Sequence, residues 1–165
     1  MPDPGRRISL LFDLFVASQR VRRLTEVALT GAPLRADEYA VYSLLFEAGP
    51  LTASEISRAS GLALTTVLDH LKRMATRGHL QRARHPSDGR AIHASLTPAG
   101  LADFERTHDA WEPMRRQLEE SLGLPPPVIR SALQALGGAA QTRLDAQTTI
   151  GSTRRSAKRG PRVPS

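Results

Sequence analysis

The feature that most constrains the fold is a pair of short helical patterns joined by a glycine turn at residues 60–62. The first pattern starts at residues 52–55 (Thr-Ala-Ser-Glu), where a hydroxyl and a carboxylate have the spacing of a capping box. The second runs from about residue 64 to 77 and ends before Gly78, a residue type common at helix C-termini. Residues 80–84 and 91–96 follow as two short strands around a turn-rich loop. This order is typical of a winged helix-turn-helix.

Four further helices are predicted around this unit, over residues 8–30, 36–48, 99–121 and 128–147. Pro113 is expected to interrupt or bend the third of them, because proline removes one backbone donor. Residues 148–165 are rich in Gly, Ser, Arg and Pro, and they predict a disordered basic tail. The fold class is therefore mainly α with a small β-hairpin: one domain over residues 8–147, with a winged helix-turn-helix core at about 34–97.

The second helix of the pair has two distinct faces on a helical wheel. Its apolar arc comprises Leu64, Val67, Leu68, Leu71, Met74 and Ala75. Its opposite side carries Thr66, Asp69, Arg73, Thr76 and Arg77, with Thr65 and His70 at the flanks. Hydroxyls near the start and cations further along suit a helix that enters the major groove of DNA. Thr65 and Thr66 can equally cap the local backbone.

Asp69 is unusual on a surface that meets phosphates. It can accept a hydrogen bond from a cytosine amino group and so act in specificity, or it can pair with Arg73 one turn further along. Both alternatives remain open. Two expected helix N-caps are also unusual, because Arg35 and Ala63 occupy positions where a hydroxyl is typical.

The positive charge of the chain is concentrated in two places. Its formal net charge is +7, and residues 58–90 carry seven basic and two acidic groups. Residues 150–165 add five basic groups and no acidic one. An internal basic block of this kind indicates a polyanionic partner.

The sequence also argues against several classes of protein. It has no cysteine, so disulfides, thiolate metal sites and thiol redox chemistry are excluded. Its five histidines lack metal-site spacing, and no phosphate-binding glycine loop or serine nucleophile motif occurs. No apolar stretch approaches the ~20 residues of a membrane span, and the start lacks a secretory signal. We expect a cytoplasmic protein without enzymatic activity, cofactor, metal or membrane contact.

Three motifs together resemble the multiple antibiotic resistance regulator (MarR) family. They are Arg-Gly-His-Leu at 77–80, Asp-Gly-Arg at 88–90 and Leu-Thr-Pro-Ala-Gly at 96–100. The resemblance implies a homodimeric winged-helix transcription factor, usually a repressor, that dimerises through helices 8–30 and 99–147. It also implies that Arg90 enters the minor groove and Asp88 braces the wing. Members of the family often bind small aromatic or anionic effectors.

The predicted partner is accordingly double-stranded DNA with a pseudo-palindromic operator. Thr65, Thr66, Asp69 and Arg73 are expected to read bases, and Lys72, Arg77 and Arg84 to contact phosphates. The full predicted DNA-contacting set is Thr65, Thr66, Asp69, His70, Lys72, Arg73, Arg77, Arg84, Asp88 and Arg90. Phe104, Trp111 and Met114 are expected in the core or at a dimer contact. A nonspecific nucleic-acid-binding protein and a winged-helix protein-interaction module are the two alternatives.

Overall fold

The computed structural model describes residues 9–84 and 92–158, except for the side chains of Arg84 and of residues 148–158. The chain divides into two compact units, Met1–Arg116 and Gln117–Ser165. The described elements are α1 (Leu10–Ala28), α2 (Ala36–Ala48), β1 (Leu51–Thr52), α3 (Ala53–Ser60), α4 (Leu64–Thr76), β2 (Leu80–Arg84), β3 (Ile92–Leu96), α5 (Pro98–Glu120) and α6 (Pro126–Lys158).

A small antiparallel sheet accompanies the helices. In the described part of the chain its order is β1-β3-β2, with Leu51 opposite Ala94 and Leu80 opposite Leu96. β1 is not predicted from the sequence, because two residues cannot show an alternating pattern. Helices followed by a β2–β3 hairpin confirm the predicted fold class, a mainly α winged helix-turn-helix.

The hydrophobic core of the first unit lies where α2, α3, α4, β3 and α5 meet. Its buried apolar residues are Leu34, Val41, Tyr42, Leu45, Ile56, Val67, Leu71, Met74, Ala94 and Phe104. Each helix of the helix-turn-helix pair contributes one face to this cluster, so the relative placement of α3 and α4 follows from shared burial. Phe104 is in this core, as expected.

Helix starts follow the sequence signals in part. The capping box of α3 is confirmed: the Glu55 backbone N–H donates to the Thr52 hydroxyl at 3.2 Å, and the Thr52 N–H donates to the Glu55 carboxylate at 2.7 Å. Ala63 gives α4 no side-chain cap. At α2, the Arg35 backbone N–H donates to the Glu38 carboxylate at 3.4 Å, so the carboxylate at the third position serves this helix start.

The Leu-Thr-Pro-Ala-Gly motif has a local structural role. The Thr97 hydroxyl accepts a hydrogen bond from the Gly100 N–H at 3.1 Å and donates one to the Gly78 carbonyl at 2.8 Å. A Cβ atom on Gly100 would lie 2.6 Å from the carbonyl oxygen of His79. Glycine at this position therefore allows α5 to start against the turn that follows α4.

In the C-terminal part, α5 is not interrupted at Pro113, and the predicted end of α6 is wrong. α5 is continuous through Pro113, because one proline removes a single backbone donor and Glu112 pairs with Arg115 and Arg116 across that turn. α6 continues to Lys158, past the predicted end at residue 147, so residues 148–158 are helical and not disordered. A helix can propagate there because residues 148–158 hold one glycine and no proline. Residues 159–165 of the predicted tail lie outside the described residues.

Candidate nucleic-acid interface

The turn between α3 and α4 sets the direction in which α4 leaves the core. Gly61 has φ 71°, in the left-handed region that favours glycine. Its N–H donates to the Ser57 carbonyl at 2.9 Å, and the Ser57 hydroxyl donates to the Leu62 carbonyl at 2.7 Å. These short-range bonds fix the helix-turn-helix angle and hold α4 at the surface.

The outer side of α4 carries four of the predicted contact residues. Thr65, Thr66, Asp69 and Lys72 are all exposed. The two threonines lie in the first turn, and the other two follow within the next two turns. Two hydroxyls, a carboxylate and an ammonium group are thus available along one exposed stretch of a helix, where they can meet base edges and a phosphate.

The buried side of α4 differs from the predicted one. It is formed by Val67, His70, Leu71 and Met74, whereas Leu64 and Leu68 are exposed. His70 is only 3% exposed, and its Nδ1 lies 2.9 Å from a terminal nitrogen of Arg73. Burial, followed by the nearby Arg73 charge, lowers the pKa of His70. The prediction of His70 as a DNA contact is therefore wrong, because its side chain belongs to the core.

Two predicted contact arginines are held by a carboxylate from α2. Glu38 is 3% exposed and accepts hydrogen bonds from both terminal nitrogens of Arg77, at 2.9 and 3.2 Å. The Nε atom of Arg73 lies 3.7 Å from the same carboxylate. Arg73 pairs with Glu38 and His70 and not with Asp69, so the intramolecular alternative for Asp69 is wrong. Both arginines keep a partly exposed guanidinium group.

Glu38 is a site residue that sequence reasoning missed. It lies 39 positions before Arg77 in the chain, and no local spacing connects the two residues. The sequence did contain a signal: Glu38 lies in the first turn of a largely apolar helix whose start has no capping hydroxyl. A carboxylate at such a position requires donors from elsewhere in the fold.

A second set of polar contacts, among Tyr42, His79 and Asp103, lies at the base of the wing. The Tyr42 hydroxyl lies 3.0 Å from His79 Nδ1, and His79 Nε2 lies 3.7 Å from the Asp103 carboxylate. Asp103 also pairs with Arg106. Burial raises the pKa of Tyr42. These residues connect α2, the turn before β2 and α5, so they position the wing relative to α4.

The wing itself is described only in part. Its strands pair in register from Leu80 opposite Leu96 to Arg84 opposite Ile92, and Ala94 anchors the stem in the core. The Arg84 side chain, Asp88 and Arg90 lie outside the described residues. Their predicted phosphate, bracing and minor-groove roles remain predictions.

An aromatic cleft lies on another side of the first unit, between α2 and α5. Its floor stacks Tyr39 and Phe46 on Phe104, with ring centroids 5.6 and 4.6 Å apart. The Tyr39 hydroxyl lies 2.8 Å from His108 Nδ1. The cleft has a volume of about 410 Å³ and its remaining lining residues are Ser43, Glu47, Glu105, Asp109, Trp111 and Arg115.

The charge of this cleft is weighted towards the acidic side. Arg115 is its basic group, and two of its nitrogens donate to the Glu112 carboxylate at 2.6 and 2.7 Å. This contact lowers the pKa of Glu112 to about 2. Glu47, Glu105 and Asp109 line the same cleft. The combination of stacked rings and carboxylates suits an aromatic molecule better than an anion.

Comparison with known proteins shows what the chain is similar to. Residues 34–92 match the family model of the MarR family. The multiple antibiotic resistance protein MarR of Salmonella typhimurium is 26% identical over 95 residues, 58% of this chain. The chain spans 66% of that relative's length, just under two thirds.

Solved structures share the fold over most of the chain. The structure of a probable transcriptional regulator from Pseudomonas aeruginosa is 28% identical, with a TM-score of 0.62, and the match covers 78% of this chain and 96% of that one. The M. tuberculosis transcriptional regulator MOSR in complex with DNA has a TM-score of 0.69 at 21% identity, with 82% and 98% covered. At that identity the likeness concerns the fold alone.

A helix-turn-helix with an exposed second helix and a hairpin wing defines the winged-helix fold. The match of residues 34–92 to the MarR family model confirms the resemblance seen in the motifs of this chain. Among the described residues, no helix is both long and apolar enough to cross a membrane. In the same residues, no group of three or more acidic or histidine side chains is arranged to hold a metal ion.

Proposed function

We propose that the chain is a homodimeric, sequence-specific DNA-binding regulator that acts as a repressor on a pseudo-palindromic operator. The observation that carries this proposal is the exposed outer side of α4, where Thr65, Thr66, Asp69 and Lys72 are accessible on a fixed helix. Thr65, Thr66 and Asp69 read base edges, and Lys72 contacts a phosphate. Two-fold symmetry places half-site centres about 10 base pairs apart.

The role of the arginines follows from their contacts. Arg73 and Arg77 are held by Glu38, so they present partly neutralised guanidinium groups near the end of α4. We assign them a positioning role first, with the exposed part of each side chain available to a phosphate. Arg84 and Arg90 on the wing supply phosphate and minor-groove contacts, and Asp88 braces the wing.

Dimerisation is supported by apolar side chains that each unit leaves at its surface. Phe15 on α1 is 58% exposed, and Leu10, Leu11 and Phe12 are exposed beside it. On α6, Val128, Leu133 and Leu144 are exposed in the same way. Burying such residues between two copies stabilises an assembly by removing apolar surface from water. Phe15→Glu should shift sedimentation equilibrium towards monomer.

An effector is the second part of the proposal, favoured by the aromatic cleft. Its volume falls in the range of small-molecule sites, roughly 300 to 1,000 Å³, and its floor is aromatic. Of the expected aromatic or anionic effectors, the carboxylates at Glu47, Glu105 and Asp109 favour an uncharged or cationic aromatic molecule. Trp111 lines the cleft and is the chain's single tryptophan, so its fluorescence reports occupancy during titration with aromatic compounds.

The test of DNA recognition is selection of bound duplexes from a random pool at about 150 mM salt. Wild type should enrich a two-fold symmetric sequence. Asp69→Asn should change the preferred bases, and Lys72→Ala should weaken all sequences equally and reduce the salt slope by about 0.9. Arg130→Ala on α6 is the matched control, because it removes an exposed cation that does not belong to the predicted DNA-contacting set.

Two outcomes would move the assignment to another class. Equal affinity for unrelated duplexes would indicate a nonspecific nucleic-acid-binding protein. Absence of DNA binding by a folded dimer would indicate a winged-helix protein-interaction module, whose basic face meets an acidic partner.

A further inference from the structure

Two leucines stand among the polar residues on the outer side of α4. Leu64 is 45% exposed and Leu68 is 50% exposed, although both belong to the apolar arc of the helical wheel. They are four residues apart, so they form one apolar patch next to Thr65 and Asp69. Exposed leucines cannot donate or accept hydrogen bonds, and their presence here requires an apolar partner if they contribute to binding.

The position of the patch selects its partner. It lies on the helix that carries Lys72 and within the block 58–90, whose net charge of +5 attracts a polyanion. It is also continuous with the surface proposed to enter the major groove. The apolar group that the major groove displays is the 5-methyl of thymine.

We propose that Leu64 and Leu68 contact thymine 5-methyl groups and are specificity-determining residues of α4. This inference rests on the proposed function, and it adds a statement about the operator. Four helical residues span about 6 Å along the helix axis, close to two base-pair steps at about 3.4 Å each. Each half-site therefore contains thymines within two steps of one another, beside the base that Asp69 reads.

The test uses the full chain and the duplex selected from the random pool. Each thymine of one half-site is replaced in turn by deoxyuridine, which keeps base pairing and removes only the methyl group. At one or two positions, wild-type affinity should fall about three- to fivefold, the factor for returning one methyl-sized group to water. Thymines outside the half-sites, treated in the same way, are the control.

Variants of Leu68, measured on the same duplexes, complete a double-mutant cycle between this side chain and the thymine methyl group. Leu68→Ala should bind the thymine duplex about three- to fivefold more weakly and should no longer distinguish thymine from deoxyuridine at its position. Leu68→Met keeps an apolar side chain of similar size and should keep that distinction. Because Leu68 is half exposed, both variants should fold, and thermal unfolding verifies this.

Several results would overturn the inference. One is a wild-type protein that binds every deoxyuridine duplex as well as the parent duplex. Another is a Leu68→Ala variant that still loses affinity at the same thymine. A change in the dimer dissociation constant of Leu68→Ala, with thymine discrimination intact, would assign the patch to a protein contact. If wild type enriches no sequence at all, the proposed function itself is contradicted. That outcome differs from failure of the thymine inference, in which a sequence is enriched but its methyl groups do not affect affinity.

Discussion

The Glu38 carboxylate on α2 accepts hydrogen bonds from both terminal nitrogens of Arg77, at the end of α4, at 2.9 and 3.2 Å. A bidentate ion pair between an arginine and a carboxylate fixes both the distance and the relative orientation of the two side chains. It connects α2 to the C-terminal end of α4. The N-terminal end of that helix is set by the Gly61 turn, so both ends of α4 are fixed to the core.

We expect Glu38→Ala to lower the free energy of unfolding by about 1–3 kcal/mol. The buried carboxylate is lost, and two arginines lose their common acceptor. The effect stays below that of a fully buried ion pair, because the guanidinium of Arg77 is partly hydrated. Urea unfolding followed by circular dichroism measures the difference.

Asp37→Ala is the matched control for this experiment. Asp37 is the neighbouring acidic residue. It is exposed, and its carboxylate lies 3.4 Å from a terminal nitrogen of Arg35, which is also exposed. Its removal should cost less than about 1 kcal/mol, as for surface ion pairs in general. Equal effects of the two substitutions would show that Glu38 does not position α4.

Local patterns predict most of the fold, because they depend on spacing alone. The capping box at Thr52 and the glycine turn at Gly61 lie within a few residues of the atoms they organise, and both are found as expected. Helix ends in the C-terminal part are less well predicted. Composition indicated a tail from residue 148, but helix propagation needs only the absence of strong breakers.

The site is harder to predict, because its contacts join distant parts of the chain. The wheel placed Leu68 inside and His70 at a flank, whereas the structure buries His70 and exposes Leu68. Glu38, which comes from another helix, pairs with Arg73 and Arg77, and Arg73 in turn lies beside the buried His70. A single helical wheel contains no information about that neighbour.

The buried His70 gives the protein a specific pH dependence. Burial lowers its pKa in the folded state, so between that pKa and about 6.5 the unfolded state binds a proton that the folded state does not. Stability is then fully present above about pH 6.5 and falls as the pH decreases towards the folded pKa. The loss between about pH 7.5 and 5.5 should be smaller in His70→Gln than in wild type.

Urea unfolding at several pH values measures this slope. The comparison uses the change with pH and not the absolute stability, since replacing a buried side chain has its own cost. Parallel curves for wild type and His70→Gln would contradict the prediction.

Replacing two helical glycines by alanine should have opposite effects on stability. In Gly100→Ala, the new Cβ would lie 2.6 Å from the His79 carbonyl oxygen, so backbone must shift and stability should fall by about 1–3 kcal/mol. In Gly137→Ala, the new Cβ has no atom within 4 Å, and stability should rise by about 0.5–1 kcal/mol. Thermal unfolding of both variants checks the prediction, and a loss at Gly137 would contradict it.

The start of α4 offers a stabilising substitution at the interface. Ala63 is the N-cap, with the extended backbone (φ −58°, ψ 141°) that a capping residue adopts, but it has no side-chain acceptor. In Ala63→Ser, the hydroxyl can accept a hydrogen bond from an unpaired N–H in the first turn, and stability should rise by about 0.5–1 kcal/mol. Ala59→Ser, also exposed but inside α3, adds a hydroxyl without a cap and should not stabilise. If Ala63→Ser were no more stable than Ala59→Ser, the prediction would be contradicted. The N–H groups in the first turn of α4 would then already have other acceptors, such as the hydroxyl of Thr65 or Thr66.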